Sequence, residues 1–183
     1  MKGDYKMDRI LGVLTLKAPV YKQIAEDTSA TMTAGIIVVV MAILGGILGA
    51  LMVGLVGSSL PPEQLAQAGS PVKIAISTII NTIIGWLIGS AVFAFIANAF
   101  GGKTNTGEML RVFGFTQIFQ ILNIIPCLGS IAALILSVIG AIIGIREAAE
   151  FSTGKAVLTG VGGLIVLFIV NMVISLILSP ILG

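Results

Sequence analysis

Four long windows of this chain contain no Asp, Glu, Lys, Arg or His: residues 28–62, 74–102, 112–145 and 156–183. A charge at the bilayer centre costs roughly 3 kcal/mol on insertion scales, and a spanning helix needs about 20 mostly apolar residues. Windows of 35, 29, 34 and 28 residues therefore fix the solvent as lipid before any other property is read. Only 10% of the residues are charged, against about 25% in a soluble domain, and no soluble core would hide the 57% that are hydrophobic.

The same composition excludes several function classes. There is no His and one Cys, Cys127, so neither an internal disulfide nor a structural zinc site can be built. No Asp, Glu, Lys, Arg or His falls inside these windows, so an acid–base pair at mid-membrane is not available and Cys127 has no His to activate it. A non-enzymatic protein without a cofactor is expected. The net charge of +2 is dispersed, which argues against nucleic acid as a partner. Gly101-Gly102-Lys103 lacks the remaining spacing of a phosphate loop. Nine charges of mixed sign between Lys2 and Asp27 do not form the short basic start of a cleaved signal peptide, so the first apolar helix is expected to be retained.

The third window is interrupted by Asn123-Ile-Ile-Pro126-Cys-Leu-Gly129, and Pro followed by Gly predicts a hairpin there. The expected fold is thus an all-α polytopic membrane bundle of five transmembrane helices, with cores at 34–56, 74–100, 109–125, 128–145 and 156–178. The third, Met109 to Ile125, is short: 17 residues rise about 26 Å. Lys2, Lys6, Arg9, Lys17, Lys22, Lys103, Arg111, Arg146 and Lys155 fall on one side of this arrangement and only Lys73 on the other. The positive-inside rule then predicts a cytoplasmic N-terminus and an outside C-terminus, in a multi-pass protein of the cell membrane.

Two regions are expected: an N-terminal amphipathic cytoplasmic segment, 1–33, and a transmembrane domain, 34–183. In the first, Val20, Tyr21, Ile24 and Ala25 form an apolar stripe after Pro19, the pattern of a short interfacial helix that orients the first span or docks a partner or lipid. In the second, Thr116, Gln117, Gln120 and Asn123 gather on one helix face, with Thr78 and Asn81 as candidate partners at similar depth. Such a face either hydrogen-bonds between helices or lines a cavity for an ion or small solute. The pairs Gly45/Gly49, Gly85/Gly89 and Gly140/Gly144 have the spacing at which helix backbones pack closely, within one bundle or a homo-oligomer. A second candidate site is the charged face: Lys103, Glu108, Arg111, Arg146, Glu147, Glu150 and Lys155 can meet as an ion-pair cluster or offer a partner or headgroup site.

Three stretches carry a family likeness: Leu16-Lys-Ala-Pro-Val-Tyr-Lys-Gln-Ile-Ala-Glu-Asp27, Phe100-Gly-Gly-Lys-Thr-Asn-Thr-Gly-Glu-Met-Leu-Arg-Val-Phe-Gly114 and Arg146-Glu-Ala-Ala-Glu-Phe-Ser-Thr-Gly-Lys-Ala156. In this order, each flanking an apolar helix, they resemble the prokaryotic branch of the Yip1 family. The resemblance implies a five-helix bundle with a role in membrane organisation, trafficking or partner binding through the cytoplasmic face. Eukaryotic members are linked to vesicle traffic and Rab-type GTPases, so the resemblance implies membrane lipids and a small GTPase-like or other protein as partners. The Asp-Leu-Tyr-Gly signature of the eukaryotic branch is absent here.

Overall fold

The computed structural model describes residues 2–59, 63, 69–125 and 127–182. In chain order these form α1 (Lys2–Leu14), α2 (Ala18–Glu26), α3 (Ala30–Val56), α4 (Pro71–Ala99), α5 (Thr106–Thr116), a 3-10 helix (Gln117–Ile124), α6 (Leu128–Ala148) and α7 (Thr153–Leu182), with a 3-10 turn, Gly57–Ser59, closing α3. Helix starts follow local chemistry. Ser70 accepts a hydrogen bond from the Lys73 amide with Pro71 at the first helical position of α4. Asn105 and Glu108 form a reciprocal capping box at α5.

Among the described residues four helices are long and apolar enough to cross a membrane: Ala30–Val56, Pro71–Ala99, Leu128–Ala148 and the Thr153–Val170 part of α7. This is a multi-pass membrane protein, and the expectation of five spans is corrected to four. The segment expected as a third span divides into α5 and the 3-10 helix, each about 16 Å long and too short to cross alone. At their junction the Thr116 hydroxyl donates to the Val112 carbonyl at 2.8 Å. Such back-bonding slightly weakens the main-chain ladder and often bends a helix. The expected orientation rested on the basic residues and on an odd number of spans, and the count of four removes the second support. Pro126, read as the hairpin break, lies outside the described residues. The reversal beside it is visible in Cys127, at φ 62°, and in Gly129, where any Cβ would run into the Leu122 carbonyl oxygen.

The N-terminal helices are part of the bundle. The expected interfacial stripe exists, but Tyr21, Ile24 and Ala25 are buried against α5 and α6 instead of facing lipid. Gly140 makes the approach possible, since a Cβ there would stand 2.9 Å from the Tyr21 hydroxyl. Burial pushes the Tyr21 phenol far above its usual range, and its hydroxyl faces the Val13 carbonyl at 3.4 Å. The core, built from Val13, Tyr21, Ile24, Met109, Val112, Phe115, Phe119 and Ile145, therefore sits where α2 wedges between α5 and α6. Away from it the spans turn residues such as Phe95, Leu134 and Phe168 outward, 76%, 65% and 70% exposed, as a lipid-facing surface requires.

Candidate functional site

The charged end does not assemble as one ion-pair cluster. Arg111 is buried, and its guanidinium turns to main chain: Nε donates to the carbonyls of Ile24 (3.2 Å) and Ala25 (2.9 Å), Nη2 to Ala25, and Nη1 to the Thr31 hydroxyl (3.3 Å). Those carbonyls belong to the last turn of α2, where orphan acceptors and the negative end of the helix dipole stabilise a cation. Glu108, expected as its i, i+3 partner, accepts from Thr104 and Asn105 at 2.8 Å each in the α5 cap. Arg146 pairs with Glu147 at 2.7 Å and reaches Thr153 at 3.4 Å across the α6–α7 turn. Lys155 donates to the Phe100 carbonyl at 3.4 Å while remaining exposed, as are Lys103 and Glu150.

Arg9, which sequence reasoning did not single out, is also buried and pairs with Asp27 at 2.7 Å. The Ser29 amide donates to the same carboxylate at 2.9 Å, and with Arg9 it holds Asp27 below the usual carboxylate range. The order of charges along the chain carries no sign of this pair, because its members lie on either side of α2.

All six residues expected on an intramembrane polar face come together. Thr78, Asn81, Thr116, Gln117, Gln120 and Asn123 line one cavity of about 710 Å³ bounded by α3, α4, the α5–3-10 segment, α6 and α7. The 3-10 helix explains the row of amides. With 3.0 residues per turn, positions i, i+3 and i+6 eclipse, so Gln117, Gln120 and Asn123 stack in line; an α-helix would fan them apart. Asn123 donates to the Gln120 side-chain oxygen at 2.6 Å, and Gln120 donates to Ser137 of α6 at 3.3 Å. Ser137 was not anticipated. Among the described residues the amides of Asn81 and Gln117 have no hydrogen-bond partner.

The other walls are apolar. Phe93 and Phe113 meet edge to face, centroids 5.0 Å apart, and both line the cavity with Ile142, Ile145 and Val157. Trp86, also in the lining, spends its indole N–H on the Leu110 carbonyl at 2.9 Å and so fastens α4 to α5. Gly85 and Gly89, expected to pack helices, open onto the cavity instead: a Cβ at either meets nothing within 4 Å. Among the described residues no charged side chain is in the lining, and no group of three or more His, Cys, Asp or Glu could hold a metal.

No curated protein and no solved structure matches the chain. The model of the Yip1 domain, a family of generally non-catalytic membrane proteins, matches residues 11–175, which reach from α1 into α7 and include every residue of the cavity. The chain belongs to the Yip1 domain family.

Proposed function

We propose that this Yip1 domain protein acts without catalysis as a binding protein of the membrane interior, its central cavity admitting an uncharged polar molecule. The convergence of six polar residues from separate elements on one cavity carries this reading. An open amide in hydrocarbon costs free energy, so the partnerless Asn81 and Gln117 favour a visiting hydrogen-bonding group. The absence of charge from the lining argues against an ion, which would lose its hydration without a countercharge.

The test uses a cysteine at position 117 in a Cys127→Ala background. A neutral maleimide is expected to modify it and a sulfonated reagent to fail. A cysteine at position 121, exposed on the same 3-10 helix and absent from the cavity lining, should stay unreactive, because no thiolate forms in hydrocarbon. Failure of the neutral reagent at 117 would remove the reading.

A second role, contact with a protein partner or lipid headgroup, is supported at the charged end. The Lys103 amide bonds the Ala149 carbonyl while Lys155 reaches Phe100, so the exposed side chains of Lys103, Glu150 and Lys155 lie on adjoining turns. The predominance of Lys and Arg here supports a cytoplasmic orientation in the cell membrane, and the three sequence stretches support the prokaryotic branch.

A further inference from the structure

The cavity is divided along its length. On α4, Thr78 and Asn81 lie toward the Lys73 end and Phe93 toward the charged end, and the 15 residues from Thr78 to Phe93 rise about 22 Å. The α5–3-10 segment repeats the order in reverse sequence direction: Phe113 comes near the charged end and Gln117 beyond it. One half thus carries the side-chain amides, beside Leu164 and Leu167, and the other carries aromatic and branched apolar side chains with Ser90 and Thr116, whose hydroxyls are bonded within their own helices. A small polar solute would gain nothing from the apolar half, and water would find few partners there.

The geometry points to an amphiphile. We propose that the cavity lodges one lipid-like molecule, with an uncharged hydroxyl- or amide-bearing head at Asn81 and Gln117 and an acyl chain running toward Phe93 and Phe113. This rests on the reading of the cavity as a binding site and names its ligand class. Three observations support the choice of occupant. The free amides can both donate to and accept from a neutral head. No lining residue would compensate a phosphate or ammonium. The volume, about 710 Å³, lies in the range of ligand cavities, and Gly85, Gly89 and Gly160 leave its walls without side chains where a chain would pass.

The experiment reconstitutes the full chain in vesicles containing a monoacylglycerol with a photoreactive diazirine on its chain, beside a phosphatidylglycerol carrying the same group. Crosslinks are read by residue-level mass spectrometry. The monoacylglycerol is expected to label around Phe93 and Phe113, and the phosphatidylglycerol only outward positions such as Phe95 and Phe168. Gly89→Leu should fill the cavity without a clash at its Cβ, and Leu forms helix better than Gly. It should reduce the inner labelling about tenfold with no fall in melting temperature, and Asn81→Leu combined with Gln117→Leu should do the same by removing two hydrogen bonds to the head.

Inner labelling that persists in both variants would overturn the proposal, as would equal inner labelling by phosphatidylglycerol. Label confined to outward positions would do so too. A reactive cysteine at 117 together with any of these results removes the lipid assignment alone. An unreactive cysteine removes the cavity reading as well.

Discussion

Arg111 is the residue whose surroundings differ most from what its neighbours in sequence suggest. It is a buried cation with no carboxylate partner among its hydrogen bonds, held by carbonyls 86 and 87 positions away. Arg111→Ala leaves the end of α2 without its cap and should lower stability by about 2 to 3 kcal/mol, as for hydrogen bonds to a charged group. Arg146→Ala breaks a part-exposed pair and should cost below about 1 kcal/mol. Thermal unfolding in detergent compares them, and equal losses would contradict the assignment of Arg111 as a buried cap. Gln120 was recognised in the sequence as an amide that needs company. Its bonds go to Asn123 of the same face and to Ser137 of α6, and to neither of the candidates Thr78 and Asn81, because nothing local ties position 120 to α6. Gln120→Leu should reduce stability by about 0.5 to 2 kcal/mol, and Gln117→Leu, with no bond to lose, should leave melting unchanged.

At the scale of elements, the apolar windows were legible because lipid imposes its requirement on every residue of a span. The third was misjudged for a physical reason: hydropathy does not separate an α-helix from a 3-10 helix. The sequence did carry a signal, amides at 117, 120 and 123, a spacing that lines up only at three residues per turn. Glycine spacing was equally ambiguous. Gly144 faces Val112 so closely that a Cβ cannot fit, whereas Gly89 faces open space at the same i, i+4 interval. Gly144→Ala should therefore destabilise the bundle and Gly89→Ala should stabilise it by up to about 1 kcal/mol, a difference in sign that melting curves can read. The junction of α2 and α3 makes a separate prediction. The folded pKa of Asp27 lies below its unfolded value, so its contribution is fully present above about pH 4 and is lost as pH falls through the folded value. Melting temperatures of wild type and Asp27→Asn should differ at neutral pH and converge on acidification.

For the whole molecule, the two ends of α4 are separated by 29 residues, about 43 Å along the axis. Single cysteines at 103 and 155, in a Cys127→Ala background, should be labelled by an impermeant reagent from one side of sealed vesicles, and a cysteine at 73 from the other. Labelling of all three from one side would contradict the bundle. Charge counting found the end that carries the basic residues, but counting cannot reveal that Arg9 and Arg111 are enclosed there, because that depends on which helices close around them.

The wedge of α2 between α5 and α6 also sets an order of assembly. Its acceptors and its apolar face are synthesised early, while Arg111 and Gly140 emerge from the ribosome some 80 to 120 residues later. Until then α2 has only α1 to pack against, and the membrane surface is the remaining shelter for its apolar face. The amphipathic pattern thus suits a surface-bound α2 before α5 and α6 exist, and its final seat depends on segments that follow it in the chain.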